Sequence, residues 1–511
     1  MKLILFSVLA ATVCWAAKIE PSCDSGYIEY NPPPFFSGND LIELYPDGYN
    51  GNTPVVFPTN YNCTYRINVP QGQYAEVVMT IITTGTTFSL PLVTVTDSLG
   101  RTENILSANK EFFYFMSTGG NITLATVMTN SSFAFSIHWR QTVTDFVRSA
   151  IILISDPSTF KPNSIQLNQS DTEPQVISYC HPNLTLVTAQ SRVSALVIPT
   201  STPEFSSLLR GIVFYDGPNW NSTYLGTAKQ LFESGNQLVS SGNQLTVQTL
   251  FNQDCSDTHI LFQEYENTKN INSLKGVACS SLLSGDCQGV LDNSKGLSAF
   301  MTYLNGDFGY ETVTSLSGNG TLDVYIGGVT ANKNNLIASY PIDNSAIRLP
   351  QSFNGNARTY VLNGANARAT INFTLLYTAS EKSQIGRKGF IASNHYTEKT
   401  LKWAFAKISA PENTPTKFSI VIRTADVTKS SQFNITVSNG DSAAYGQSFS
   451  AYNLPAMNQV IQVVGDALLV EFDSKDDLSN GIYIDFELLK ASSNRISFFV
   501  TVLMCFFIIF H

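Results

Sequence analysis

The stretch Phe133–Trp139, "FAFSIHW", puts a large apolar side chain at every second position: Phe133, Phe135, Ile137 and Trp139 share one face, and Ala134, Ser136 and His138 the other. Successive side chains of an extended chain leave on opposite sides, so a period of two predicts a half-buried β-strand. "IYIDFELL" repeats the pattern with Ile482, Ile484, Phe486 and Leu488, and "KFSIVIRT" (417–424) and "TYRINVP" (64–70) follow it too. Clusters of Gly, Asn, Ser and Pro separate these runs at short intervals, while stretches of 3.6-residue periodicity are scarce. The class predicted is all-β, sandwiches of antiparallel sheets rather than α/β.

Working outward, the chain shows self-similarity. "VFYDGPNWNSTYLG" (213–226) and "DVYIGGVTANKNNLIA" (323–338) share Tyr, one residue, then Gly (Tyr215 and Gly217; Tyr325 and Gly327), with Leu225 and Leu336 eight or nine residues after the Gly. "SGNQLTVQTL" and "VGDALLVEFDS" share a Gly-to-Val spacing, Gly242 to Val247 and Gly465 to Val470. One strand-turn-strand unit used repeatedly explains both pairs, and a chain of 511 residues holds about four blocks of ordinary domain size. With 14% charged and 12% aromatic residues the composition is that of a core-forming chain. Its net charge of −9 carries no Lys/Arg cluster, which argues against nucleic acid or an anionic membrane surface as partner.

The two ends read as addresses. "MKLILFSVLAATVCWAA" has a basic Lys2, an apolar run and small residues near Ala16, the pattern of a secretory signal peptide over residues 1–16. Residues 495–511 are a hydrophobic tail, apolar from Phe498 to Phe510 except for Thr501 and preceded by the small residues Ala491, Ser492 and Ser493. The thirteen residues from Phe498 to Phe510 would rise only about 20 Å as a helix against a bilayer core of about 30 Å. The expectation is a signal for exchange onto a glycosylphosphatidylinositol (GPI) anchor at Ser492, with a short transmembrane tail as the alternative, since the spacer before the tail is short. Removing both ends would take Lys2 and Arg495 and move the net charge from −9 to −11.

"LIELYPDGYNGNTPVVFPTNYNCTYRINVPQGQYAEV" (41–77) then carries a resemblance. Tyr45, Pro46 and Tyr49 followed by Cys63, Tyr65, Ile67, Pro70 and Gly72 resemble the opening of a CUB domain, "VFYDGPNWNSTYLG" is similar to its mid-domain turn, and "FAFSIHW" to its last strand. More narrowly the chain resembles the divergent CUB-like proteins of nematodes, secreted or surface-anchored and associated with the response to microbial challenge. The resemblance implies tandem jelly-roll sandwiches at 23–140 and 150–268, with weaker CUB-like blocks at 275–378 and 394–490. The family's calcium site is not matched: "LLRGIVFYDG" (208–217) has neither Cys nor acid before its Tyr, and "PLVTVTDSLG" (91–100) supplies Asp97 alone. Asp473, Asp476 and Asp477 form a denser acidic loop that reads first as an ordinary solvated turn, so no metal and no cofactor are predicted.

With Cys14 and Cys505 removed by processing, six cysteines remain: Cys23, Cys63, Cys180, Cys255, Cys279 and Cys287. In an oxidising lumen they predict three disulfides; chain order suggests Cys23–Cys63, Cys180–Cys255 and Cys279–Cys287 among fifteen possible connectivities. N-glycosylation sequons stand at Asn62, Asn121, Asn130, Asn168, Asn183, Asn221, Asn319, Asn372 and Asn434. His138, His181, His259 and His395 are spread over three blocks with no zinc spacing, and no nucleophile elbow or phosphate loop occurs, so no catalytic residue is predicted. Trp220, an aromatic in a polar loop beside Asn221, is the candidate binding contact, its alternative being a shielded core aromatic. The function expected is a non-enzymatic cell-surface protein of recognition or innate immune defence, holding a glycan or protein ligand. The alternatives are a structural or adhesive component of an extracellular coat and, further off, a secreted hydrolase.

Overall fold

A computed structural model describes residues 21–34, 42–83, 92–106, 108–127, 131–142, 163–166, 175–178, 183–199, 203–251, 258–280, 289–294, 296–305, 310–330, 333, 335–354, 357–374, 383–394, 396 and 399–491. The described strands form four pairs of sheets, so the all-β class is as the alternation predicts.

The first pair contains β1 (Tyr27–Tyr30), β2 (Ile42–Tyr45), β3 (Val55–Val56), β4 (Asn62–Ile67), β5 (Gln73–Thr83), β6 (Leu92–Thr96), β7 (Thr102–Ile105), β8 (Ala108–Phe115), β9 (Gly120–Ala125) and β10 (Ser131–Gln141). One sheet runs β1-β4-β9-β6-β7 and the other β2-β10-β5-β8, with the short β3 beside β10. The second pair holds β11 (Asn163–Gln166), β12 (Gln175–Ser178), β13 (Asn183–Thr188), β14 (Val193–Pro199), β15 (Ile212–Asp216), β16 (Thr223–Thr227), β17 (Leu238–Val239), β18 (Gln244–Thr249) and β19 (Thr258–Glu264). Its orders are β11-β13-β18-β15-β16 and β12-β19-β14-β17. The third pair, β20 (Ser273–Ser280), β21 (Gly289–Asp292), β22 (Ser298–Asn305), β23 (Tyr310–Ser317), β24 (Thr321–Ile326), β25 (Leu336–Pro341), β26 (Gln351–Asn354), β27 (Ala357–Asn363) and β28 (Arg368–Thr374), is ordered β20-β22-β27-β24-β25 and β21-β28-β23-β26.

With β3 set aside and strands counted from the start of each pair, all three share one topology: first-third-eighth-fifth-sixth in one sheet, second-ninth-fourth-seventh in the other. The fourth pair, β29 (Lys388–Ala392), β30 (Trp403–Ser409), β31 (Thr416–Ala425), β32 (Gln432–Asn439), β33 (Ser442–Phe449), β34 (Val460–Val464), β35 (Ala467–Asp473) and β36 (Ile482–Lys490), is ordered β29-β36-β31-β34 and β30-β35-β32-β33. That is the same topology without a first strand among the described residues. Where a first strand is described it departs from the antiparallel rule: β1, β11 and β20 pair parallel with β4, β13 and β22. The intervening strand lies in the opposite sheet, so the chain crosses over and returns in the same direction, as parallel pairing requires.

The repeats fall on equivalent places. Tyr215 and Tyr325 lie near the ends of β15 and β24, the fifth strand of their sandwiches, and Gly217 and Gly327 follow at φ +143° and +71°. Leu225 and Leu336 lie in the sixth strands, and Gly242–Val247 and Gly465–Val470 both lead into the eighth, β18 and β35.

The alternating residues make the cores. Tyr65, Phe133, Phe135, Ile137 and Trp139 are fully buried between the first two sheets, and Phe418, Ile420, Ile484 and Leu488 between the last two. The chain divides into two compact units, Met1–Phe160 with the first sandwich and Lys161–His511 with the other three. Within the second unit, Leu196, Ile198 and Leu261 pack on Leu274, Ala278, Met301 and Val361, joining the second sandwich to the third.

Candidate functional site

The third and fourth sandwiches meet edge to edge at β29, and the joint is a side chain imitating a strand. Gln351 of β26, 2% exposed, donates through Nε2 to the Phe390 carbonyl at 3.0 Å and accepts from the Phe390 N–H through Oε1 at 3.2 Å. Both backbone groups of an edge residue are thereby satisfied by one amide. Around it Phe390 packs on Phe353 with ring centroids 5.6 Å apart and stacks on Tyr483 at 5.0 Å. The Arg387 guanidinium donates to the Pro350 carbonyl at 3.0 Å, and Tyr310 Oη donates to the Phe405 carbonyl at 3.2 Å. Two sandwiches held in this way present a fixed surface to a ligand.

Beside the joint lies a cleft of about 420 Å³. Its floor is the outer face of the sheet β29-β36-β31-β34. Because Ile482, Ile484, Phe486 and Leu488 turn inward, Tyr483, Asp485 and Glu487 of β36 turn outward. Register sets Glu487 between Lys388 and Ser419, and Asp485 between Phe390 and Val421. A bulge in β31 between Ile422 and Thr424 gives that strand an extra residue, Arg423. Its Nε meets Asp485 Oδ2 at 2.6 Å, and its Nη1 donates to Asn458 Oδ1 at 3.1 Å. The second pair, Lys388 to Glu487, is 3.1 Å long. The wall comes from the third sandwich, from Ile337–Tyr340 and from Arg348, which ends the 3₁₀ turn Ile342–Ile347. Arg348 Nε is buried with no hydrogen-bond partner among the described residues. Burial, and then the neighbouring Asp485 charge, raise the Tyr483 phenol above its ordinary range, so it stays neutral in the cleft.

Cys23 and Cys63 are bonded, Cα to Cα 5.8 Å, tying the segment before β1 to β4. Cys180, Cys255 and Cys287, the side chain of Cys279, and Ser492 lie outside the described residues. So do Asn130, Asn168, the side chain of Asn183, His181 and His395. Of the other sequon asparagines, Asn62, Asn221 and Asn319 are exposed and Asn121, Asn372 and Asn434 half-exposed. Trp220 is half-buried in the turn between β15 and β16, where Asn219 Oδ1 accepts from the Asn221 N–H at 2.9 Å. Asp216 accepts from the Ser241 N–H at 2.9 Å and so serves the turn. His138 is half-buried beside Ser136, and His259 is buried against the Tyr303 ring, 4.7 Å away. In the acidic loop Asp473 pairs with Lys475 at 2.8 Å and Asp477 accepts from the Ser430 N–H at 3.1 Å; burial is slight, and these bonds hold both carboxyls below the usual range. Sequence reasoning passed over the cleft. Its signal was the outward set on β36, where an aromatic and two acids alternate with the apolar core.

The geometry defines a class: an all-β protein of tandem two-sheet sandwiches, with a lined cleft at a sandwich junction. Residues 18–142 match the family model described as the CUB-like domain, so the N-terminal sandwich is a divergent CUB-like domain. Residues 166–250 match a domain of unknown function (DUF7592), and residues 266–375 another (DUF7591). Similar solved structures include the CUB1-EGF-CUB2 domain of human MASP-1/3, 8% identical with a TM-score of 0.17 over 39% of this chain and 99% of that one. The corresponding domains of rat MASP-1 are 10% identical with a TM-score of 0.18 over 68% of this chain and 99% of that one. No curated protein matches the chain. Among the described residues no helix is long and apolar enough to cross a membrane.

Proposed function

We propose that the chain is a non-enzymatic, N-glycosylated extracellular protein that recognises a glycan or protein ligand in innate defence at an exposed epithelium. A GPI anchor at Ser492 holds it on the outer face of the plasma membrane, in membrane rafts. The observation that carries this reading is the preformed cleft at the third and fourth sandwiches, whose ion pairs satisfy one another and suit holding a ligand rather than transforming it. The exposed sequons Asn62, Asn221 and Asn319 support passage through the secretory pathway. Repeated sandwiches on one chain also favour avidity over a single tight contact.

The test is expression in animal cells followed by phosphatidylinositol-specific phospholipase C. Release of a product that a peptide N-glycosidase shortens, and that binds microbial cells or their surface glycans, is the expected result. Retention after active enzyme favours a transmembrane tail, and release without binding removes the recognition role. One observation favours the coat alternative: Tyr452, Leu454, Val460 and Val464 are exposed at 90%, 59%, 54% and 50%. Sedimentation of the released protein tests it, since a coat component self-associates at micromolar concentration.

A further inference from the structure

We infer that the cleft at the third and fourth sandwiches takes an acidic carbohydrate, with the sugar carboxylate seated on Arg348. The inference rests on the recognition role proposed above and names its ligand class.

Of the three cations lining the cleft, Arg423 is neutralised by Asp485 at 2.6 Å and Lys388 by Glu487 at 3.1 Å. Arg348 has no ion-pair or hydrogen-bond partner for its side chain among the described residues, and its Nε–H is already shielded from water. The buried Nε–H is as closed to a ligand oxygen as to water, so a carboxylate meets this guanidinium through its two Nη groups, with two parallel bonds. The lining therefore leaves one positive charge for the ligand to cancel.

The rest of the lining suits hydroxyls. Ser419 on the floor, with the carboxylates of Asp485 and Glu487 and the ammonium of Lys388, offers donors and acceptors beside the apolar Val421, and Ser339 on the wall, whose hydroxyl donates to Asp323 at 2.7 Å, can add an acceptor. Vicinal hydroxyls of a sugar both donate and accept and can use such a mixed set. Strand addition by an acidic peptide is closed at Phe390, where both backbone groups of β29 are taken by Gln351, which leaves the end strand β25 on the wall as the one edge that polyglutamate tests. The cleft volume of 420 Å³ falls within the ~300–1,000 Å³ of small-ligand pockets.

The test places the full chain, released from cells, on immobilised oligosaccharides in pairs that differ only in the carboxylate: glucuronate against glucose, and sialylated against desialylated lactosamine. Binding to an acidic member is expected, falling about ten- to a hundredfold on removal of the carboxylate and by a similar factor in Arg348→Ala. Arg348→Lys should retain an intermediate affinity, and Ser419→Trp, which fills the floor, should abolish binding. An unchanged thermal midpoint in each variant shows that the fold survives; if Arg348→Ala does not fold, Ser419→Trp decides. Equal binding of both members of a pair, or full binding by Arg348→Ala or Ser419→Trp, overturns the inference and leaves glycan recognition standing. Binding to polyglutamate but to no sugar overturns it in favour of a peptide ligand. Binding to neither sugars nor polyglutamate overturns it, and if microbial cells are not bound either, the recognition role falls as well.

Discussion

The first and third sandwiches share a strand order, yet their cores place polar groups in opposite ways. In the first, the hydroxyls of Tyr45, Tyr61 and Tyr65 form a triangle with sides of 3.2, 3.0 and 3.1 Å among the buried rings of Phe57, Phe133 and Phe135. Each hydroxyl can donate once and accept once, so three of them close a neutral ring. In the third, Glu311 and Arg358, 1% and 2% exposed, face each other from opposite sheets. Glu311 Oε2 accepts from Arg358 Nε at 2.9 Å and from Tyr360 Oη at 2.6 Å, while Glu311 Oε1 has no hydrogen-bond partner among the described residues. The strand order does not depend on what fills the middle. The two fillings should fail differently.

The largest failure should come from the ionic core. Arg358→Met leaves the Glu311 carboxylate buried without its cation and should destabilise the third sandwich by about 3–5 kcal/mol. Replacing the whole cluster, Glu311→Leu with Arg358→Met and Tyr360→Phe, should return most of that loss, because no charge is then desolvated. Hydrogen exchange of peptides from β23 and β27 in the full chain reads both. Equal protection in the single and triple variants would erase the distinction between the two cores. Next in size is the covalent tie of the first sandwich: Cys23→Ser with Cys63→Ser frees a loop closed over 40 residues and should weaken that sandwich by about 2–4 kcal/mol. Protection should fall in β1 and β4 and stay unchanged in β23 and β27.

Much of this comparison was legible before the structure, and the exceptions have a common cause. Tyr45, Cys63, Tyr65 and Ile67, which carry the family resemblance, are core residues of the first sandwich, and Cys23 pairs with Cys63 as chain order suggests. Alternation also placed Phe133 to Trp139 and Ile482 to Leu488 on inward faces. It could not place Glu311: in β23 the four residues Tyr310 to Val313 are all buried, because the Tyr310 ring packs on Trp403 and covers the second face. A strand covered on both sides has no period of two to read. Arg348, Gln351 and Phe390 stayed hidden for a related reason, since their roles arise only where one sandwich abuts the next. Strand order within a sandwich follows from local pattern and turns, whereas a junction is written by residues that look ordinary in their own strand.

A smaller effect tests the neutral ring. Tyr45→Phe removes one hydroxyl from the triangle, but Tyr61 and Tyr65 remain 3.1 Å apart and can still bond. The expected loss is about 1 kcal/mol, the net worth of one hydrogen bond, against several for the ionic core. A loss as large as that of Arg358→Met would mean that the ring acts as a single unit.

The effect smallest at neutral pH, where it is absent, appears only in alkali. Burial, the leading cause in each case, raises the phenols of Tyr30, Tyr45, Tyr65 and Tyr114 above their ordinary value of 10.0. Below pH 10 these phenols are protonated both folded and unfolded, so the shift contributes in full. As pH rises past 10 the unfolded chain releases protons that the folded one keeps, the unfolded state binds fewer, and stability falls toward the raised folded values. The third sandwich has Tyr303, Tyr325 and Tyr360 shifted the same way, Tyr360 by burial and then by the Glu311 charge. Both should therefore open in alkali, with tyrosinate absorbance from buried rings appearing only as circular dichroism reports loss of sheet. Tyr45→Phe removes one titrating group, so its alkaline midpoint should shift upward relative to its own neutral-pH stability. If the buried rings titrate near pH 10 while the sheets persist, water reaches the triangle, and the neutral core of the first sandwich is no better sealed than an exposed phenol.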